Sequence, residues 1–178
     1  MLTNALRTRS PPSWPTSAPD QFGSPTPCSE WTIRDLIEHV VGGNEHVGLW
    51  ASSPVQPPAR PDDVAAAHRT AAAAAQEVFA GTDAMTTTFN LPFGELPGQL
   101  FIGIRTTDVL THAWDLAAAN GQSTDIDPEL AVEQLGIARA VVGPQFRGPG
   151  KPFGDEQLCS SERSPADQLA AFLGRKVQ

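Results

Sequence analysis

Prolines decide where this chain can form helices, because a proline inside a helix removes a backbone donor and clashes with the preceding turn. The chain has 178 residues, of which 17 are proline. Prolines are dense between positions 11 and 27, so we expect residues 1–21 to be an irregular arm, with at best a short helix over LTNALRTR. A second proline-rich stretch, residues 52–61, is long enough to be a crossover connection at the end of a helical bundle.

Helical periodicity fills the regions between these breaks. Apolar residues recur at helical spacing from Ile33 to about Trp50, after a Thr32–Asp35 pair that matches a capping box. In the alanine-rich segment VAAAHRTAAAAAQEVFA, predicted as the second helix, His68 has no acidic or histidine companion one turn away. We expect it at a surface or an interface. Further helices are predicted from Asp62 or Asp63 to the residue before Gly81, from about Gln99 to Ala119, from Asp127-Pro128 through ELAVEQLGIARAVV, and from Ser164 through QLAAFLGR.

Residues 82–98 depart from the helical pattern. Phe89 and Leu91 favour an extended backbone, and Pro92 and Pro97 mark turns. We therefore predict a long ordered loop, and loops of this length are often functional. The fold class predicted for residues 22–178 is all-α: a four-helix bundle around one core, with a short additional C-terminal helix.

The charge balance excludes several classes of partner. The formal net charge is −8, with 40% hydrophobic and 18% charged residues. An acidic surface repels phosphate backbones and anionic lipids, so neither nucleic acid nor a membrane is an expected partner. No apolar run approaches the roughly 20 residues that span a bilayer, and the N-terminus lacks the apolar region of a signal peptide. We therefore expect a cytoplasmic protein, with Cys28 and Cys159 as reduced thiols.

A carboxylate and an imidazole lie four residues apart in FIGIRTTDVLTHAWDLAAANG, residues 101–121. Asp108 and His112 share one face of the predicted helix, where together they could bind one divalent cation. The same spacing often arises by chance as an exposed pair, so this pattern alone is a weak signal. Asp115 has three interpretations: a ligand, an acceptor for the ring N–H of His112, or a solvated acid.

His39 lies at the edge of the apolar face of the first helix, one turn before Gly43. The glycine leaves space beside the imidazole for an ion, a ligand or a close helix. One interpretation is a histidine bonded to a backbone carbonyl or to a nearby acid. The other is a metal site. If this helix packs against residues 101–119, His39, Asp108 and His112 would provide three ligands and leave one position for water, as in catalytic zinc sites.

Other residues with reactive or aromatic side chains have simpler interpretations. Trp31 and Trp114 are expected in the core, and Cys28 is expected to be a structural thiol despite its position just before a helix. Arg105 lies one turn before the candidate carboxylate, so a salt bridge is expected; the alternative is that it orients an anionic thiol or acid substrate. His46 is expected to be solvated, the alternative being a general base near the metal.

A resemblance to a known family is carried by segments that follow one another along the chain: TPCSEWTIRDLIEHVVGGN, LPFGELPG, RTTDVLTHAWDLAAANGQ and ADQLAAFLGR. Together they resemble the metal-binding domain of mycothiol-dependent maleylpyruvate isomerases. They are still more similar to the stand-alone actinobacterial proteins related to that domain, within the DinB-like superfamily. The resemblance covers residues 22–175.

This resemblance implies a DinB-like four-helix bundle that holds a divalent metal, usually zinc, between two helices. The family's ligands are a histidine on the early helix and an acid-x-x-x-His pair on the later one, which carry over onto His39 and onto Asp108 with His112. In the isomerase the acid is glutamate, so the reach and denticity of the shorter Asp108 stay open. The isomerase has a C-terminal domain that contributes to catalysis, and this chain ends without one, so maleylpyruvate isomerisation itself is not implied. The proline-rich arm stands where the family has a long amphipathic helix.

The predicted function is that of a metal-binding bundle acting as a thiol-dependent S-transferase or isomerase on a small electrophile, with mycothiol as cosubstrate. Zinc is the expected ion, although nickel, iron or manganese would suit the same ligands. Whether the protein is an enzyme stays open. One alternative is a non-catalytic metal-containing bundle that binds a small molecule or a protein; another is a bundle without metal, in which His39 and His112 are core-edge residues. A homodimer is also left open, and no catalytic or substrate-binding residue is identified.

Overall fold

The computed structural model describes residues 14–28, 30–52, 59–92 and 94–177. Within these ranges the chain is mostly helical, with five helices and one two-stranded sheet, which agrees with the predicted all-α class in outline. Of these helices, none has the length and apolar character needed to cross a membrane. The elements in chain order are α1 Ile33–Trp50, α2 Val64–Ala80, β1 Thr88–Leu91, β2 Gly94–Pro97, α3 Gly98–Ala119, α4 Pro128–Val141 and α5 Pro165–Phe172.

The N-terminal arm is described only from residue 14, so the helix considered over LTNALRTR lies outside the described residues. Residues 14–21 are irregular apart from a single helical turn at Pro19–Gln21. They are held by the end of α3, because Asn120 Nδ2 donates to the Thr16 carbonyl oxygen at 3.1 Å and to Ser17 Oγ at 2.8 Å. The boundary placed between residues 21 and 22 stays a prediction.

The helix starts follow the predicted caps. The Thr32 backbone N–H donates to Asp35 Oδ2 at 2.9 Å, and Thr32 Oγ1 accepts from the Asp35 backbone N–H at 3.3 Å. The capping box before α1 is therefore confirmed. The remaining caps, each accepting from a first-turn N–H, are Asp63 before α2, Asp127 before α4 and Ser164 before α5.

The segment predicted as a long ordered loop contains a β-hairpin, so that prediction is wrong over residues 88–97. The strands β1 and β2 pair antiparallel, with Phe89 opposite Leu96 and Asn90 opposite Glu95. Phe89 and Leu91 are buried while Thr88 and Asn90 are exposed. This two-residue alternation is the pattern of a half-buried strand, and it lets the segment bury its large side chains.

The described chain divides into two compact units, of which the first comprises residues 37–105. Its core is aromatic: the ring centroids of Phe89 and Phe101 lie 4.7 Å apart, and that of Phe79 lies 6.0 and 5.9 Å from them. Trp50 meets Phe101 edge-on at 5.7 Å. Tilted and edge-on arrangements are those that aromatic quadrupoles favour.

His68 also belongs to the first unit, and it is 8% exposed. Of the two positions expected for it, the surface is wrong, and a packed interface agrees with its burial. The buried face of α2 includes Val64, Ala67, Ala71 and Ala75, and His68 lies on that face. Because the alanines let neighbouring backbone approach closely, a longer side chain among them becomes enclosed.

The second unit comprises residues 14–36 and 106–177. Helices α4 and α5 pack against each other in it. Trp114 is buried, as predicted, and its Nε1 donates to Asp167 Oδ1 at 2.8 Å. Thr124 Oγ1 donates to the same oxygen at 2.8 Å, so this buried carboxylate is held by neutral donors.

Candidate metal centre

Asp108, His112 and Asp115 lie along one side of α3, as their spacing predicts. His112 Nε2 lies 3.4 Å from Asp108 Oδ1, and His112 Nδ1 lies 3.0 Å from Asp115 Oδ2. The imidazole is thus bracketed by two carboxylates, one at each ring nitrogen. The side chain of Asp115 is fully buried, whereas that of Asp108 is 29% exposed. Asp108 is therefore the carboxylate that an ion from solvent could reach.

The two carboxylates govern the protonation of His112. Burial by itself lowers the pKa of this ring, because it penalises the charged form. The hydrogen bonds and charges of Asp108 and Asp115 outweigh burial and raise the pKa to about 9. The cluster of Asp108, His112 and Asp115 thus supplies negative charge that a proton or a metal cation can neutralise. A metal ion bound at a ring nitrogen of His112 would displace a proton.

Both carboxylate oxygens of Asp115 accept hydrogen bonds. Besides the contact with His112, its Oδ1 accepts from Arg175 Nε at 3.2 Å and its Oδ2 accepts from Arg175 Nη2 at 3.0 Å. Burial would lower the pKa of Arg175, but Asp115 outweighs burial and the pKa is raised, so the guanidinium stays charged. Of the three interpretations of Asp115, a solvated acid is wrong, and an acceptor for the ring N–H of His112 fits the contacts.

Arg175 reaches α3 because α5 ends in a left-handed glycine. Gly174 has φ 98°. Its N–H donates to the Ala171 carbonyl at 3.0 Å, and the Arg175 N–H donates to the Ala170 carbonyl at 2.9 Å. These are the two bonds of a Schellman motif. A Cβ on Gly174 would also lie 2.7 Å from the Cα of Gly154, so only glycine fits the turn that directs Arg175 back to α3.

The turn before α1 places an aromatic ring over His112. The Thr26 N–H donates to the Trp31 carbonyl at 3.1 Å, and the Ile33 N–H donates to the Ser24 carbonyl at 3.0 Å, which closes the turn. The rings of Trp31 and His112 stack, with centroids 5.6 Å apart and planes 27° from parallel. Trp31 is half-buried, so the core position expected for it is only partly correct. Its ring also restrains the imidazole of His112.

Cys28 belongs to the same cluster. Single donor atoms of Cys28, His112 and Asp115 lie within 4.8 Å of one another, a geometry that could hold a metal ion. Burial raises the pKa of the Cys28 thiol and Asp115 and Asp108 add to this, whereas Arg175 opposes it. The thiol is therefore held in its neutral form at neutral pH. A purely structural thiol was expected, so this juxtaposition is new information from the structure.

His39, the third predicted ligand, lies on α1 in the first unit, where its ring is exposed. The space beside Gly43, one turn later, is filled by Arg105: a Cβ on the glycine would lie 2.6 Å from Arg105 Nη1. Arg105 is buried and its Nη2 donates to the Val40 carbonyl at 2.7 Å and to Asn44 Oδ1 at 3.0 Å. An ion, a ligand or a close helix was predicted to occupy that space. The occupant found is a side chain of α3.

His46 is exposed, as predicted. Its Nδ1 lies 2.7 Å from the Gly42 carbonyl oxygen, and its ring stacks on Trp50 with centroids 5.5 Å apart.

Of the three predicted metal ligands, α3 brings Asp108 and His112 together within one unit. The complete set with His39 stays a prediction.

Besides Cys28, two residues that contact His112 or Asp115 were not placed there by the sequence: Arg175 and Trp31. Arg175 lies 60 residues from its partner Asp115, beyond the reach of any helical spacing rule. The glycine before it, in AAFLGR, is the one local signal, because a glycine after an apolar run predicts a helix end that reverses the chain. For Trp31 the signal was its place in the CSEWT motif, and nothing in that motif names the surface that the ring covers.

The fold and the cluster define a class: a mostly helical protein with a buried histidine held between carboxylates and a candidate metal-binding geometry. Comparison with known proteins places it more narrowly. The profile of the family described as "Mycothiol maleylpyruvate isomerase N-terminal domain" matches residues 16–117, and the chain belongs to this family. The resemblance drawn from the sequence motifs is therefore confirmed.

Relatives of high identity occur in Mycobacterium tuberculosis. "Uncharacterized protein MT0763" of strain CDC 1551 / Oshkosh is 74% identical over 159 residues, which cover 89% of this chain and 87% of the relative. "Uncharacterized protein Rv0738" of strain ATCC 25618 / H37Rv matches with the same identity and coverage. No solved structure matches the chain significantly.

Proposed function

We propose that this protein binds one divalent metal ion, zinc first of all, through His39, Asp108 and His112, and that it acts on a small electrophile together with a low-molecular-weight thiol. The observation that carries the proposal is the Asp108–His112 pair. The carboxylate and the imidazole nitrogen lie 3.4 Å apart on one rigid helix, and Asp115 supports the opposite nitrogen. Histidines that bind metal ions usually donate their other ring N–H to a carboxylate, as His112 does here, and Asp108 is the solvent-accessible acid beside it.

The donor chemistry of the proposed set fits a divalent ion. His39, Asp108 and His112 offer two imidazole nitrogens and one carboxylate oxygen. Three such ligands with an open position are typical of catalytic zinc, and nickel, iron or manganese accept the same donors. The shorter reach of Asp108 favours one carboxylate oxygen as the ligand. The proposal also assumes the DinB-like four-helix bundle of the family, in which the histidine of α1 and the pair on α3 face one another.

The reaction class follows from the family and from this donor set. Zinc bound there would lower the pKa of a coordinated thiol, as it does that of coordinated water. In a thiol addition the S–H bond and the π bond of the electrophile break, an S–C bond forms, and the other atom of the former double bond takes up a proton. In a transfer the S–C bond replaces the bond to a leaving group, which departs with its electron pair, and the thiol proton passes to water. Mycothiol is the thiol that the family's name suggests. We expect the protein to act in the cytoplasm, where such thiols stay reduced.

Residues around the proposed metal site would restrain its ligands. Trp31 covers one face of His112 and limits the access of water to the ring. The net charge of −8 makes the protein a poor binder of polyanions, which suits a small-molecule substrate better than nucleic acid.

The first test is the metal content of untagged full-length protein, purified without added metal and measured by elemental analysis. We expect about one equivalent of zinc in the wild type, as in three-ligand zinc sites, and its loss in His39→Ala and in His112→Ala. His46→Ala is the matched control, since it removes an exposed histidine of α1 that is bonded to the Gly42 carbonyl. No metal in the wild type after reconstitution would refute the proposal, and retention in His39→Ala would remove that residue from the ligand set.

The second test separates an enzyme from a non-catalytic metal-binding bundle. Mycothiol and a model electrophile would be incubated with metal-loaded wild type and with His112→Ala, and conjugate formation followed by mass spectrometry. Conjugation above the uncatalysed rate in the wild type alone supports thiol transfer. Equal rates in both, with metal bound in the wild type, would favour a metal-containing binding protein.

A further inference from the structure

Two residues outside the proposed ligand set control one of its ligands. We propose that Asp115 and Arg175 are positioning residues that hold His112 with Nδ1 turned inward, so that Nε2 is the nitrogen offered to the metal. This inference rests on the proposed function, since it assigns a role toward the same ion. It also decides between the two candidate sets of metal ligands that share His112. One is the proposed set with His39 and Asp108, and the other is the set with Cys28 and Asp115.

The contacts at Nδ1 carry the first step. This nitrogen lies 3.0 Å from Asp115 Oδ2, which is the shorter of the ring's two carboxylate contacts. A carboxylate accepts and does not donate, so Nδ1 carries the proton in this contact. Nδ1 is thereby turned toward a fully buried carboxylate, whereas Nε2 faces Asp108, which is 29% exposed and could share an ion with it. An ion that binds at Nε2 would displace any proton there.

The second step is the restraint on Asp115 itself. Its two oxygens accept from Arg175 Nε and Nη2 at 3.2 and 3.0 Å, the two-pronged geometry that guanidinium and carboxylate favour. Arg175 Nη1 also donates to the Leu173 carbonyl at 3.1 Å, so the guanidinium is anchored to the end of α5. The carboxylate therefore cannot rotate away from His112 without breaking two charge-assisted bonds.

The consequence concerns Cys28. A metal bound by Cys28, His112 and Asp115 would have to replace the Nδ1 contact and compete with Arg175 for the same carboxylate oxygens. The hydrogen bonds of the structure thus favour the arrangement in which Cys28 is not a ligand.

The test is the zinc affinity of metal-free full-length variants, measured by competition with a chromophoric chelator. Asp115→Asn keeps the shape of the side chain and removes its charge, and we expect a 10- to 100-fold weaker affinity, the usual effect of losing such a support. Arg175→Lys keeps the charge and loses the fork, and we expect an intermediate loss. Cys28→Ser should bind zinc as the wild type does.

Asp167→Asn is the matched control for a general loss of structure. Asp167 is also buried in the second unit, but it accepts from Trp114 and Thr124 instead of from a proposed ligand. Its variant should unfold more easily while binding zinc within a few-fold of wild type. As a spectroscopic readout, the visible absorption of the cobalt(II)-substituted protein should change in Asp115→Asn and stay unchanged in Asp167→Asn.

The outcomes separate this inference from the proposed function. If the wild type binds zinc and Asp115→Asn binds it equally well, the positioning role is refuted while the metal site stands. If Cys28→Ser loses zinc, or the wild-type cobalt(II) protein shows a sulfur charge-transfer band that this variant lacks, the thiolate arrangement replaces ours. Equal losses in Asp115→Asn and Asp167→Asn would reduce the effect to stability alone. A wild type that binds no metal overturns the inference and the proposed function together.

Discussion

Each unit of this protein contains a cluster of buried side chains, and the two clusters are of opposite kinds. In the first, the rings of Phe79, Phe89 and Phe101 meet with centroids 4.7–6.0 Å apart and form an apolar cluster. In the second, a histidine, an aspartate and an arginine are joined by hydrogen bonds of 3.0–3.2 Å. The aspartate and the histidine of that charged cluster are buried, as are Phe89 and Phe101, while Phe79 is partly buried.

The two kinds of burial contribute different things to the protein. Burying one large apolar side chain stabilises a fold by about 1.5–3 kcal/mol, and an aromatic pair adds about 0.5–1.5 kcal/mol. Buried charges gain little net stability, because the desolvation they suffer is comparable to their mutual attraction. What the charged cluster provides is orientation, since each partner restricts the geometry of the next. The aromatic cluster should therefore dominate stability, and the charged cluster should dominate ligand geometry.

The largest expected effect is that of Phe89→Ala in the aromatic cluster. Phe89 is fully buried against Phe101 and Phe79, so its truncation leaves a cavity and should lower the free energy of unfolding by about 3–5 kcal/mol. Equilibrium urea unfolding measures this. Leu158→Ala is the control, because Leu158 is fully exposed, and its effect should stay within about 0.5 kcal/mol. A loss below about 1 kcal/mol for Phe89→Ala would break the comparison.

The next effect is that of Gly174→Ala, which tests whether orientation in the charged cluster depends on the end of α5. The substitution strains a left-handed backbone and brings a Cβ against Gly154, for an expected loss of about 2–3 kcal/mol in unfolding free energy. Because the turn directs Arg175, zinc affinity should fall as well.

Gly121→Ala provides the matched comparison for that variant. Gly121 is also left-handed, with φ 64°, but a Cβ there would meet nothing within 4 Å. We expect about 1 kcal/mol of destabilisation and unchanged zinc affinity. Equal affinity losses in the two glycine variants would show that the turn before Arg175 has no special role.

The smallest effect concerns the pH dependence of the first unit. Burial, together with the nearby charges of Arg105 and Arg69, lowers the pKa of His68 to about 4. The unfolded chain binds a proton near pH 6.5, whereas the folded chain does not until about pH 4. The stability contributed by neutral His68 is therefore present above pH 6.5 and is lost as the pH falls toward 4, by on the order of 2 kcal/mol.

Urea unfolding between pH 7.5 and 4.5 measures that dependence. His68→Gln should show a smaller loss of stability on acidification than the wild type, because its side chain does not titrate. His46→Gln, which changes an exposed histidine, should follow the wild-type curve. Parallel curves for wild type and His68→Gln would contradict the burial of this ring.

The features predictable from sequence are those that depend on near neighbours in the chain. The capping box of Thr32 and Asp35, the helix bounds and the pairing of Asp108 with His112 follow from helix geometry, which repeats every 3.6 residues whatever surrounds it. The family likewise followed from short motifs in order. The hairpin was missed because its two-residue alternation is short and is interrupted by Pro92.

Which residues form helices, where those helices begin and which side chains share a face could all be predicted from the order of residues. What those faces contact depended on the packing of the whole chain. That packing joined Asp115 to Arg175 across 60 positions, laid Trp31 over His112, and filled the space at Gly43 with Arg105. The physical reason is that backbone hydrogen bonds act over one turn and impose local order. Contacts between distant residues depend on how side-chain volumes fit once the chain is compact, and no periodicity encodes that fit.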